Sequence, residues 1–328
     1  MRARVAALCE VLGVYLAGQV VMFLLAKGLG VSLANPLTTL TADADGATLV
    51  SATHALVRLL GFQYAGWFLL IVPVAWWRRR LSAAAFGLTR GGRSLTWLVI
   101  AGVVTCAIAE LPTRALEVVN SYYSLGATAP WRQAVFDMSW RRWEFWYFMA
   151  MGSYLLIPVL EELFYRGYCQ RRLAEAWGDG PAIVGISLLF AFSHGQYLMA
   201  NAYSVGMLLS VVLSAVGFGV IFAATRSLWP SVVAHALVNV PLGRPWMIAA
   251  LVLSVVGAWL AWRPARDMVR RVFAGTDGGM ALLLGVVGAV YAVAAARWEA
   301  MTLVAVALFV AAVVLVWRDR RRGIVSKV

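Results

Sequence analysis

Glu161, Glu162 and Arg166 sit in "PVLEELFYRGYCQRRL" (residues 158–173), where the chain otherwise reads as membrane. Two more polar groups share that setting: His194 in "LLFAFSHGQYL", and His235 with Asn239 in "SLWPSVVAHALVNVPLG". Helical geometry puts Glu162 and Arg166 on one face, four residues apart, and does the same for His235 and Asn239. Glu161 points about 100° away from Glu162. Counted from the nearest arginines at 1.5 Å per residue, Glu161, His194 and His235 lie on the order of 10–20 Å deep, so they could meet at one level. A charged group at mid-bilayer costs about 2.5–3.5 kcal/mol on insertion scales, which argues against decoration. The bland reading of Glu162 and Arg166 is a buried ion pair tying helices together, with the histidines as inter-helix hydrogen bonders.

The chemistry open to this set is hydrolysis. A carboxylate partly removed from water can act as a base, and a histidine beside it can hold and polarise a water molecule. A histidine N–H and an asparagine amide on one face can donate to the oxyanion of a tetrahedral intermediate. Other hydrolase signatures are missing: there is no HExxH, no G-x-S-G although Ser153 and Ser187 follow glycines, and no G-x-G-D. Zinc on Glu161, His194 and His235 is an alternative by residue type. Metal-free catalysis without a cofactor is preferred, because Asn239 suits an oxyanion donor better than a zinc ligand. His54 stands alone near a membrane edge and reads as an ordinary interfacial histidine.

The elements that position these groups are membrane helices. The 328 residues are 62% hydrophobic and 13% charged, whereas soluble domains average roughly 45–50% and about 25%. Fifteen tryptophans fit interfacial belts. No strand alternation of barrel type appears, so the expected fold is all-α: a polytopic transmembrane helix bundle of about 8–10 spans. The candidate spans are 5–27, 56–77, 94–112, 146–171, 181–198, 203–225, 228–242, 246–262, 280–296 and 299–317. The basic start and first apolar run predict a retained span rather than a cleaved signal.

The net charge of +13 comes from short arginine clusters between apolar runs, which argues for topology and against nucleic acid. Arg2 and Arg4, Arg78 to Arg80, Arg90 and Arg93, Arg171 and Arg172, Arg226, Arg263 to Arg271, and the tail from Arg318 to Lys327 predict both termini in the cytoplasm. Expected outer loops lie at 28–55 and 113–145, the second holding Arg114, Arg132, Arg141 and Arg142. Its "PWRQAVFDMSWRRWEFWYF" predicts an interfacial amphipathic helix. Cys9, Cys106 and Cys169 are widely separated and read as small buried hydrophobes.

Three ordered motifs resemble the CPBP family, the CAAX proteases and bacteriocin-processing enzymes also called Abi. Its E-E-x-x-x-R is matched by Glu161, Glu162 and Arg166, followed by Gly167. Its F-x-x-x-H is matched by Phe190 and His194, and its H-x-x-x-N by His235 and Asn239 after "SLWPS" (Ser227 to Ser231). The resemblance covers roughly residues 145–242. It implies a glutamic-type intramembrane endopeptidase, with Glu161 as base assisted by His194 and with His235 and Asn239 as oxyanion donors. Glu162 and Arg166 would support the site.

The expected organisation is 1–144 as N-terminal spans with outer loops, 145–242 as the catalytic core, and 243–328 as additional spans with a basic tail. Expected partners are the lipid bilayer and a membrane-anchored or lipidated peptide or protein, with no nucleic acid. The expected location is the membrane of a bacterial or archaeal cell. Two other classes stay open: a non-enzymatic immunity or scaffold protein, and a proton-coupled transporter, although no inverted repeat favours transport.

Overall fold

The computed structural model describes residues 2–33, 36, 40–41, 43–123, 125, 141–198, 200–240, 244–295 and 314. Among the described residues the chain is helical, with no strand. Its helices are α1 (Arg2–Gly28), α2 (Gly46–Trp77), α3 (Leu95–Ala109), α4 (Leu111–Tyr123), α5 (Trp143–Trp177), α6 (Asp179–Phe192), α7 (Ala202–Thr225), α8 (Trp229–Val238), α9 (Arg244–Val272) and α10 (Gly278–Ala295). Five of them are long and apolar enough to cross a membrane, or six if the bent pair α3–α4 counts as one span. The chain is therefore an all-helical membrane protein, the class its composition demands. The predicted span 299–317, apart from Val314, lies outside the described residues, as does the stretch 130–140 of the predicted amphipathic segment. The remainder of that segment, from Trp143, forms the start of α5.

Several elements differ from the sequence reading for local reasons. The predicted span 228–242 is a 10-residue helix, about 15 Å long against a core of about 30 Å. It is a half-helix that ends inside the bundle. Pro241 follows Asn239 closely and cannot continue the ladder. The predicted span 181–198 stops at Phe192, so His194 lies just past a helix rather than within one. Ser193 Oγ and His194 Nδ1 both bond the Phe190 carbonyl, at 2.6 and 2.8 Å. That carbonyl is the one the next helical amide needs, and the His194 amide turns instead to Ala191, at 3.1 Å.

The expected outer loop 113–145 is helical at its start. α3 and α4 meet at a 47° bend, beside Pro112, which removes one backbone donor. Arg114 is buried there, 3.0 Å from Glu117 and 3.7 Å from Glu110. Glu110 in turn accepts a hydrogen bond from Ser214 of α7, at 2.9 Å. The other expected outer loop, 28–55, is shortened because α2 begins at Gly46, capped by Asp45. Cys169 is buried, while Cys9 and Cys106 are half-buried; all three are free.

Packing explains how α5 is held. Gly18 of α1 lies against the Trp67 indole and Gly66 of α2 against the Gly18 backbone, so neither position admits a side chain without displacement. This is the close approach that small residues permit between membrane helices. Trp67 then stacks on Phe164 of α5, with centroids 3.8 Å apart, and donates to the Tyr15 carbonyl at 2.9 Å. At one end of the bundle Glu10 accepts from Arg172, Tyr168 and Arg78, at 2.8, 2.9 and 3.2 Å. That knot joins α1, α5 and the end of α2. α10 packs along α6, and α3 along α8.

Candidate active site

α5 is irregular where it matters. Pro158 cannot donate to Tyr154, and the helix breaks at Leu155 between a π-helical stretch, Phe148–Tyr154, and a regular α-turn, Leu156–Glu162. A second π-helical stretch, Leu163–Gln170, follows at once. The two glutamates thus end a short regular segment set between wider turns, a distortion frequent at functional sites.

Glu162 is fully buried and Arg166 nearly so. The guanidinium donates to Glu162 Oε1 at 3.0 Å and to the Ala215 carbonyl of α7 at 3.2 Å. Phe190 and Phe218 lie under its face, with centroids 4.7 and 5.4 Å away. His235 Nδ1 donates to the same Glu162 oxygen at 2.9 Å. Its ring stacks on Phe218 at 5.4 Å and meets the edge of Phe190 at 5.8 Å. The two phenylalanines wedge the guanidinium and imidazole into one geometry.

Glu161 is placed differently. Its side chain retains 17% exposure, against 0% for Glu162. Oε1 accepts a long contact of 3.5 Å from the Tyr64 hydroxyl of α2. Oε2 has no hydrogen-bond partner among the described residues and lies 3.8 Å from His235 Nε2. Because His235 Nδ1 gives its proton to Glu162, its Nε2 is the atom presented to Glu161.

His194 is half-buried and within electrostatic reach of Glu161 and His235. Its Nδ1 faces the Phe190 carbonyl, which can only accept, so Nδ1 carries the proton and Nε2 an open lone pair. Asn239, at the C-cap of α8, donates its amide to the Ser153 carbonyl at 2.9 Å, and Ser153 Oγ donates back to the Asn239 carbonyl at 3.1 Å. One amide N–H of Asn239 is therefore engaged and one remains. The structure gathers Glu161, Glu162, Arg166, His194 and His235, and ties Asn239 to the π-helical turn preceding them.

The loop before α3 aligns α5 with α8. Gly167 faces the Phe86 carbonyl so closely that a Cβ would sit 2.8 Å from it. The Leu228 amide donates to the Gly87 carbonyl at 2.8 Å, and Trp229 Nε1 to the Leu88 carbonyl at 3.1 Å. The "SLWPS" segment is thus the anchor that starts α8 at the right height for His235.

Sequence reasoning missed Tyr64, Ser153 and Phe218. None carries a local signal, since each is an ordinary residue of a membrane helix until the fold brings it here. Among the described residues no three His, Cys, Asp or Glu groups gather as a metal site.

Fold and site together define a polytopic helical membrane protein with a buried carboxylate–histidine–guanidinium cluster. The family model described as type II CAAX prenyl endopeptidase Rce1-like matches residues 142–241, from the start of α5 to just past α8, and over that segment the chain is similar to this family. The family is one of proteases, which supports peptidase activity at that level. No curated protein and no solved structure matches the chain.

Proposed function

We propose that the protein is a glutamic-type intramembrane endopeptidase acting on a membrane-anchored or lipidated protein or peptide. The supporting observation is the division between the two glutamates. Glu162 is fully buried, with its Oε1 shared by Arg166 and His235 and its Oε2 unpartnered among the described residues. Glu161 instead keeps partial exposure, accepts no donor closer than the Tyr64 hydroxyl at 3.5 Å, and turns its Oε2 toward His235 Nε2 at 3.8 Å.

In this reading Glu161 Oε2 takes a proton from a water held by the open His194 Nε2. The water oxygen attacks the scissile carbonyl carbon as the C=O electron pair moves to oxygen. With both carboxylates ionised and Arg166 charged, the cluster carries one excess negative charge, and one proton shared by Glu161 and His235 would balance it. A proton on His235 Nε2 would donate to the oxyanion, with the remaining amide N–H of Asn239 as second donor. Collapse would return the proton from Glu161 to the leaving amine. Glu162, fixed by Arg166, sets the tautomer and angle of His235.

The test is a terminus-resolved proteomic comparison of membranes from cells carrying the native protein or Glu161→Ala. Termini that vanish in the variant would establish proteolysis and name the substrate. Identical termini, with the variant at normal abundance, would refute it and favour a binding or immunity role.

A further inference from the structure

We propose that the cavity between the start of α1, the α5–α6 junction and the α9–α10 turn holds the phosphate of an anionic membrane-lipid headgroup. The cavity measures about 370 Å³ and is lined by Arg4, Trp177, Gly178, Arg271 and Gly275, among others. That volume falls within the range of about 300–1,000 Å³ usual for ligand sites.

Two cations face it without a carboxylate partner. Among the described residues the Arg271 side chain makes no hydrogen bond or ion pair, while the Arg4 side chain gives only its Nε, to the Ala176 carbonyl at 3.2 Å, and lies over Trp177 at 5.2 Å. The two carboxylates in the wall are already engaged. Asp179 is paired with Arg226 at 3.0 Å, and Asp277 caps α10 through the Met280 amide at 3.1 Å. The local field is therefore positive.

The backbone adds to this. Gly178 and Gly275 adopt φ of +86° and +72°, conformations that glycine tolerates, and open space lies where each Cβ would stand. The first turn of α6 has no side-chain cap and Pro181 has no amide, so the amides of Asp179 and Gly180 are the ones left available to an anion.

The site lies at the end of the bundle where Arg78, Arg172 and Arg226 also gather. Trp177, half-buried, is the residue type that settles at headgroup level, and a basic pocket between membrane helices is a known form of headgroup site. The inference is independent of the proteolytic reading.

The experiment uses the full chain in phosphatidylcholine nanodiscs, with phosphatidylglycerol titrated and bound lipid counted by native mass spectrometry. Arg4→Gln and Arg271→Gln should each weaken phosphatidylglycerol binding about fivefold, and the pair about 25-fold. Arg263→Gln/Arg266→Gln, which removes equal charge elsewhere, should leave binding unchanged. Equal losses in both pairs, or no loss in the Arg4/Arg271 pair, would overturn the site. Inorganic phosphate that displaces phosphatidylglycerol and binds as tightly in pure phosphatidylcholine would overturn the lipid assignment in favour of a free phosphate. Should the double variant fail to fold, Arg271→Gln alone decides, because its side chain is exposed and without a partner among the described residues.

Discussion

Glu161→Ala and Glu162→Ala should separate sharply in stability, although the proposed mechanism predicts that both abolish cleavage. Glu162 accepts two charge-assisted hydrogen bonds, at 3.0 and 2.9 Å, with both donors buried. Bonds of this kind contribute about 1.5–3 kcal/mol each, and stripping one partner from a buried ion pair costs about 3–5 kcal/mol. The two routes converge on about 3–5 kcal/mol for Glu162→Ala, because Arg166 and His235 would be left charged or polar without an acceptor. Glu161 makes only a 3.5 Å contact with Tyr64 and keeps some exposure, so its removal should cost about 1 kcal/mol or less. Reversible unfolding of the purified protein in mixed detergent, followed by far-UV circular dichroism and compared with the native chain, measures both. A double-mutant cycle with Arg166→Met should show strong coupling to Glu162 and little to Glu161. Equal destabilisation by the two single variants, or less than about 1 kcal/mol for Glu162→Ala, would refute the assignment of Glu162 as the structural carboxylate.

Three further outcomes follow from the packing and the caps. Gly167→Val should destabilise by about 1–3 kcal/mol and displace the loop at Phe86, since its first carbon already meets that carbonyl; thermal unfolding and amide exchange at residues 84–88 would report both. Trp67→Ala should cost about 3–5 kcal/mol by emptying the space over Phe164, while Trp67→Phe should keep the stack and lose only about 1 kcal/mol with the bond to Tyr15, read in the same unfolding assay. At the N-terminus of α2 the Thr48 hydroxyl and amide hold the Asp45 carboxyl below the usual carboxylate range. A depressed value means the capping contribution is present above the ordinary carboxylate pKa and fades as pH falls through the lowered one. Amide exchange at residues 46–49 should therefore rise at acid pH, after correction for the intrinsic rate, and Asp45→Asn should flatten that dependence.

Much of the site was legible because membranes make polar residues conspicuous. Composition demanded helices, since only helices satisfy the backbone in an apolar medium without strand alternation. The pairing of Glu162 with Arg166 followed from spacing alone, because four residues along one helix place two side chains together whatever the rest of the chain does. His194 and His235 stood out as the histidines in apolar runs, and the ordered motifs grouped them. Helix ends were less legible. The early stops at Phe192 and Val238 depend on side chains capturing a carbonyl and on a proline beyond the end, signals that a hydropathy window averages away.

What only tertiary structure decided is which glutamate His235 addresses with which nitrogen. Nothing in 73 residues of separation dictates that Nδ1 meets Glu162 while Nε2 faces Glu161. That outcome depends on the height and rotation of α8 relative to α5, which the Gly87–Leu88 loop, Gly167 and the two phenylalanines set by contact. Tyr64 and Ser153 enter for the same reason: the crossing of α1 and α2 at Gly18 and Gly66 delivers one, and the π-helical turn before Pro158 delivers the other. Local spacing determines which residues of one helix stand together. Packing between helices distant in sequence determines which of those residues face one another, and so which carboxylate Arg166 and His235 share.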